Sequence, residues 1–262
     1  MMIITSKENP VVKQAAKLVT NAKARKKEKA FITEGLRLCR DVAQSGGVIR
    51  TAFMTESFGQ EFGEDAAVIA AASAHMFTVS DGVMQHLSDT DSPQGVLCIC
   101  EKPDFLDLPQ KAGQFVVLEN VGDPANVGAI ARTAEALGVD GLLVSGGCDV
   151  YHPKALRASM GALLRLPVYE AEITEILTHL HSLGVSTHAA VVYDADCAVT
   201  KMKFNNACAV IIGNEANGIT PQTAKACNSR ITIPMAGRAE SLNAAAAACI
   251  LIWEMTNRGG DL

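Results

Sequence analysis

The stretch Ile231-Thr-Ile-Pro-Met-Ala-Gly-Arg-Ala-Glu-Ser-Leu-Asn243, followed by Ala-Ala-Ala-Ala-Ala-Cys-Ile-Leu-Ile252, decides how the rest of the chain is read. The β-branched run 231–233 predicts a strand, and Pro234 ends it. Ser241 stands where a helix N-cap belongs, ahead of an apolar run over 242–253. That run is almost unrelieved Ala, Leu, Ile and Cys, which predicts a helix buried on nearly every side. A loop bearing Arg238, Glu240, Ser241 and Asn243 is thus pinned between a strand and a buried helix, an arrangement expected of a ligand site.

Upstream, strand and helix patterns alternate from residue 115. Strands are predicted at 115–118, 139–144, 166–169, 187–193 and 208–212, with helices at 127–137, 154–164, 173–183 and 221–227. This is an α/β pattern, a parallel sheet with helices on both faces. Ligands of such sheets gather at the carboxyl ends of strands, and three strand-end loops there carry polar chemistry. The first leads to Asn126 and Arg132. Six residues turn a helix through roughly 600°, so the two lie about 120° apart and need not share a face. Asn126 reads either as an N-cap or as a ligand. Arg132 sits among Ala129, Ile130, Ala131 and Ala134, which predicts partial burial and a need for an anionic or carbonyl partner. The second loop, Gly213-Asn-Glu-Ala-Asn-Gly218, sets Glu215 in a crowded turn where backbone N–H groups can approach a ligand. The opening stretch supplies the third.

The first hundred residues form a second, smaller α/β pattern. Ser6-Lys-Glu-Asn-Pro10 starts a helix whose apolar stripe is Val11, Val12, Ala15, Leu18 and Val19. A strand into a turn follows at 30–35, then a helix at 36–44. Further strands are expected at 48–54, 76–79 and 94–100, with helices at 66–74 and 82–87. The chain divides on this reading into a basic helical segment 1–30, a domain 31–101, a Pro- and Gly-containing linker 102–114 and a domain 115–262.

Composition narrows the function classes. The 262 residues are 48% hydrophobic and 19% charged, a globular balance. No apolar run reaches the roughly 20 residues that span a bilayer, and the N-terminus lacks a secretory h-region. The eight Cys form no Cys-x-x-Cys pair, which argues against a zinc site or disulfide framework and for a reduced, cytoplasmic protein; no metal is expected. Residues 1–30 carry eight Lys/Arg against two Glu, a net of +6, while the remainder carries 15 against 26, a net of −11. A polyanion-binding face confined to the first segment has this charge pattern, as does a solvated basic helix.

Three segments taken in order, Asn126-Val-Gly-Ala-Ile-Ala-Arg132, Ile212-Gly-Asn-Glu-Ala-Asn-Gly218 and Ile233-Pro-Met-Ala-Gly-Arg-Ala-Glu-Ser-Leu-Asn243, resemble the three motifs of the SpoU/TrmH family. The basic helix, Phe31-Ile-Thr-Glu-Gly-Leu-Arg37 and Ser92-Pro-Gln-Gly-Val96 resemble the family's substrate-binding domain, itself similar to ribosomal proteins that bind kinked RNA. The resemblance implies S-adenosylmethionine-dependent 2′-O-methylation of ribose in RNA. It favours large-subunit (23S) ribosomal RNA, with transfer RNA or a non-catalytic RNA-binding role as alternatives. It further implies a SPOUT fold closed by a deep trefoil knot, and a homodimer. The cofactor would be held at Gly213, Asn214, Ile233, Met235 and Leu242, and a dinucleotide-type Gly-x-Gly-x-x-Gly loop is absent from the sequence. Lys23, Arg25, Lys26, Lys27, Lys29 and Arg37 would face RNA. Glu34 reads as an RNA-facing or a fold-stabilising residue.

The implied catalytic set is Arg132, Asn126, Glu215, Ser241 and Asn243. Arg132 would lie nearest the reacting ribose oxygen, where the family proposal makes it the general base. A guanidinium titrates above about 12, so stabilising the nascent alkoxide and binding phosphate is the physically simpler role, with a phosphate oxygen or water taking the proton. Asn126 and Asn243 would orient the ribose or Arg132. Glu215 would anchor Arg132 or a loop amide, and Ser241 would cap the last helix.

Overall fold

The computed structural model describes residues 3–257, which group into two compact units: residues 3–104 with 149–164, and 105–148 with 165–257. In the first unit the strands are β1 (Ile3–Ile4), β2 (Ala30–Glu34), β3 (Ile49–Met54), β4 (Ser73–Val79) and β5 (Val96–Glu101). They form one mixed sheet in the order β1-β4-β3-β5-β2. Asn9 caps the helix Pro10–Thr20 by accepting from Val11 N at 3.0 Å, and Pro10 fills the first helical position. Its stripe of Val12, Ala15, Leu18 and Val19 joins Phe53, Leu97 and Ile99 in the core. Asn21 caps the following helix, Ala22–Glu28, which stops at Lys29 in a left-handed conformation. The basic helices are therefore part of this unit's core packing. The helix Pro153–Ser159, a later return of the chain, packs against β2, and every residue of that strand is buried.

The second unit is built on seven parallel strands: β6 (Gln114–Glu119), β7 (Gly141–Ser145), β8 (Val168–Glu170), β9 (Ser186–Ala190), β10 (Cys197–Ala198), β11 (Cys208–Ile212) and β12 (Ser229–Thr232). Their order is β10-β12-β9-β11-β6-β7-β8. The central pair β6 and β11 runs in register from Gln114–Cys208 to Leu118–Ile212, so their carboxyl ends open side by side. One face of the sheet packs Phe115, Val117, Leu143, Ala209 and Ile211 against Ile176, Leu177 and Leu180. On the other, the helices Pro124–Ala136 and Ala244–Thr256 pack together, and the latter also touches β6 and β11.

Two expectations about the last helix change. Its first residue is Ala244, and the N-cap is Asn243, whose Oδ1 accepts from Ala245 N at 2.9 Å and Ala246 N at 3.3 Å. Ser241, expected as the cap, is exposed two residues earlier. Nor is the helix buried all round. Ala245, Ala248, Leu251, Ile252 and Met255 are buried, whereas Ala246, Ile250 and Trp253 are exposed, Trp253 by 49%. Among the described residues no helix is long and apolar enough to cross a membrane.

Candidate active site

The loops after β6, β11 and β12 meet through one directional chain of hydrogen bonds. Glu215 stands in a turn that its neighbours hold shut: Asn214 N donates to Gly218 O at 3.1 Å and Gly218 N to Asn214 O at 2.8 Å. A Cβ on Gly213 would lie 2.2 Å from the carbonyl carbon of Gly218, so only glycine fits there. The Glu215 carboxylate accepts from Gly122 N and Asp123 N, both at 3.0 Å, and from Asn126 Nδ2 at 2.8 Å. Because a carboxylate only accepts, Asn126 must turn its amino group toward Glu215 and its carbonyl away. That carbonyl takes the Asn243 Nδ2 donor at 3.0 Å, which leaves the Asn243 carbonyl for the last helix. One acidic group thereby fixes the orientation of two amides and the entry of a helix. Burial pushes the Glu215 carboxyl up, but the Gly122 N–H, the Asn126 amide and the Asp123 N–H together outweigh it and hold the group below its usual range.

Asn126 is not an N-cap. Asp123 is, accepting from Ala125 N at 2.9 Å, and Asn126 lies buried inside the first turn. Glu215 binds loop amides and Asn126 rather than Arg132. Arg132 itself is exposed, and no hydrogen bond or ion pair holds it among the described residues. The expectation of a half-buried arginine fails because the buried face of the helix Pro124–Ala136 runs through Asn126, Val127, Ile130, Ala131 and Ala134, and Arg132 points off it.

A cavity of about 460 Å³ opens at the carboxyl ends of β9 and β12. Its wall includes Ile233, Met235, Ser241 and Leu242 from the third loop, Ala247 and Leu251 from the last helix, and Ala190 at the end of β9 with residues 191–193 beyond it. The size suits a small ligand or cofactor. Gly213 and Asn214 are not in this wall; they shape the turn after β11, where Asn214 Nδ2 also donates to Asn120 O at 2.9 Å. Sequence reasoning missed three contributors. Tyr193 lines the cavity while 71% exposed. Asn120 takes a left-handed conformation, with φ of 55°, directly after β6. Glu119, buried at the end of β6, accepts from Thr220 N at 3.1 Å and Thr223 Oγ1 at 2.7 Å. A lone acid closing an otherwise apolar strand was the available signal for the last. Among the described residues no cluster of three or more His, Cys, Asp or Glu could hold a metal ion.

In the first unit, Lys23, Lys26, Lys27, Lys29 and Arg37 are exposed. Lys29 pairs with Asp104 at 2.8 Å. Arg25 is not available to RNA as expected. It is 1% exposed, and its guanidinium donates to Leu18 O, Val19 O and Asp149, because the turn between the two basic helices leaves inward carbonyls that need a donor.

Residues 113–253 match the model of the SpoU rRNA Methylase family, and residues 9–98 match the MRM3-like substrate binding domain. The chain is 31% identical to an uncharacterized tRNA/rRNA methyltransferase of Synechocystis, over 96% of this chain and 92% of that one. It is 25% identical to the 23S rRNA guanosine 2′-O-methyltransferase RlmP of Bacillus subtilis, covering 97% and 99%. Its fold superposes on the AdoMet-bound rRNA methyltransferase of Sinorhizobium meliloti with a TM-score of 0.86 at 28% identity, covering 98% and 97%.

Proposed function

Because this chain belongs to the SpoU rRNA methylase family, we propose that it methylates ribose 2′-hydroxyls of large-subunit ribosomal RNA, using S-adenosylmethionine, at the three loops joined through Glu215, Asn126 and Asn243. The observation that carries the siting is this chain of hydrogen bonds, which ties together loops from three separate strands beside a cavity of cofactor size.

The cavity fits the cofactor by its chemistry. Ile233, Met235 and Leu242 offer apolar surface, and the backbone of the third loop offers donors and acceptors for the polar ends. Bound there, S-adenosylmethionine supplies the methyl group. Gly213 and Asn214 act one step removed, by setting the turn that presents Glu215. Ser241 lies in the cavity wall and serves binding rather than helix capping. Asn126 and Asn243 hold the loops in register. Arg132 carries a free positive charge, suited to an RNA phosphate and to the negative charge that grows on the ribose oxygen. The proton leaves to a phosphate oxygen or water, because a guanidinium has no accepting nitrogen.

The same reading includes a deep trefoil knot, supported by β12 lying between β9 and β10 although the chain runs from β9 to β10 directly. It includes a homodimer, supported by the exposed Ala246, Ile250 and Trp253 at helical spacing. It includes an RNA-facing role for Lys23, Lys26, Lys27, Lys29 and Arg37, and a cytoplasmic setting, supported by eight free cysteines. Incubation with methyl-labelled cofactor and protein-free ribosomal or transfer RNA, followed by digestion to nucleosides, tests the function. Label in 2′-O-methylnucleosides of ribosomal RNA is the expected result. Label on a base, in transfer RNA alone, or nowhere would overturn it.

A further inference from the structure

Arg157, on the helix Pro153–Ser159, reaches two carboxylates. Its Nη2 lies 2.6 Å from Asp89 Oδ2, and its Nη1, buried and without a hydrogen bond among the described residues, faces Glu34 Oε2 at 3.6 Å. Glu34 ends β2 with its side chain 5% exposed. It accepts from Ser88 Oγ, from Thr90 Oγ1 at 2.7 Å and from Asp89 N at 3.2 Å. The start of the loop 88–95 is thus gripped by one acid and one arginine. Its other end is gripped too. Gln94 Oε1 accepts from Leu36 N at 3.0 Å, and Gly35 N donates to Val96 O at 3.0 Å. Gly35 has φ of 87°, and a Cβ there would stand 2.8 Å from Gln94 Oε1. The helix that begins at Leu36 presents Arg37 and Arg40, which line a cavity of about 420 Å³ together with Gln94 and Asp41.

The contacts therefore run from Arg157 through Glu34 and Asp89 into the loop, and from Gln94 to the start of the helix that carries Arg37. Without Arg157, the carboxylates of Glu34 and Asp89 would both lose the cation they share, one of them buried. Losing that cation would free the Asp89 end of the loop, loosen its first residues and carry Gln94 off Leu36 N.

We propose that Arg157 is a positioning residue for substrate capture: it holds the loop 88–95, and through Gln94 the Arg37-bearing helix, in the shape that receives RNA phosphates. The proposal rests on the RNA-binding reading of this unit. Its test uses the full chain with Arg157→Gln, Arg157→Lys and Arg37→Ala, a protein-free large-subunit rRNA transcript, and amide hydrogen exchange. Arg157→Gln should raise the KM for RNA about tenfold and leave kcat and cofactor affinity within about twofold. Exchange at residues 88–96 should quicken, Arg157→Lys should recover part of the loss, and Arg37→Ala combined with Arg157→Gln should add little. Unchanged exchange at 88–96 overturns the proposal without reference to RNA. So does an Arg157→Gln enzyme that keeps the parent KM, or one in which kcat and KM worsen together with the melting temperature. Failure of the parent enzyme to bind or methylate the transcript would instead sink the functional reading, and the exchange result would still decide whether Arg157 holds the loop.

Discussion

Asn243 donates its side-chain amide to Asn126 Oδ1 at 3.0 Å, which joins the N-cap of the last helix to a buried residue 117 positions earlier. Asn126 in turn donates to Glu215, so it is the only link between the acid and the second amide in this chain of bonds. The polarity of the chain makes its middle member the sensitive one.

Replacing Asn126 by Ala leaves Glu215 and Asn243 each short of a partner, a loss of about 1–3 kcal/mol. Asn126→Asp should be worse despite its similar shape. It sets a second carboxylate within hydrogen-bond distance of the first, and one of the two must then take up a proton. Chemical denaturation of the parent and both variants at neutral pH checks the order. Asp matching Asn in stability would show that the amide orientation is unimportant.

Arg132 should behave in the opposite way. It is exposed and held by no partner among the described residues, so Arg132→Ala should change stability by no more than about 0.5 kcal/mol. Methyl transfer should nevertheless fall by roughly 100-fold or more, as when a charge-stabilising donor is removed from an active site. Single-turnover transfer to saturating RNA separates this from weakened binding. Arg132→Lys with near-parental turnover would rule out any role that needs the planar guanidinium.

His188 predicts how the fold responds to acid. It is buried on β9, with Nδ1 2.8 Å from Ser229 Oγ and the ring edge-on to Phe204 at 5.2 Å between centroids. Burial pushes its pKa down from 6.5 to about 4. The folded chain keeps the ring neutral where the unfolded chain takes up a proton. Stability from this group is therefore complete above 6.5, declines as the pH falls from 6.5 to about 4, and levels off below that. His188→Gln keeps a partner for Ser229 but does not titrate. Its melting temperature should fall less than the parent's over the same interval, by a few degrees. Parallel curves would mean that His188 takes up its proton at the same pH in the folded and unfolded chain.

The sequence carried the alternation of elements and the identity of the three loops, because strand and helix periods and the Gly-rich turn are local signals. It misplaced Ser241 and Asn243 by relying on the start of the apolar run. Leu242 opens that run, but it lines the cavity, and the helix begins only where Asn243 can offer its carbonyl to two backbone N–H groups. Arg25 and Arg132 were misjudged in opposite senses for one reason. Arg25 stands in a basic run yet faces inward carbonyls, and Arg132 stands in an apolar run yet points outward. Composition averages around a helix, whereas burial depends on angle. The return of residues 149–164 to the first unit left no trace in the pattern, since Asp149, Tyr151 and Arg157 find their partners only through tertiary packing.

Strand β12 takes its place between β9 and β10, two strands that precede it and follow one another in the chain. During synthesis, β10 has no lasting neighbour until residues 229–232 have been made, and an early union of β9 with β10 would occupy the slot that β12 needs. The native sheet therefore needs Cys197–Ala198 off β9 by the time β12 settles there through Ser229–His188 and Ile231–Ala190. A two-residue β10 suits that timetable, because so short a ladder closes weakly and reversibly. Its brevity leaves the place beside β9 to β12, the last strand among the described residues.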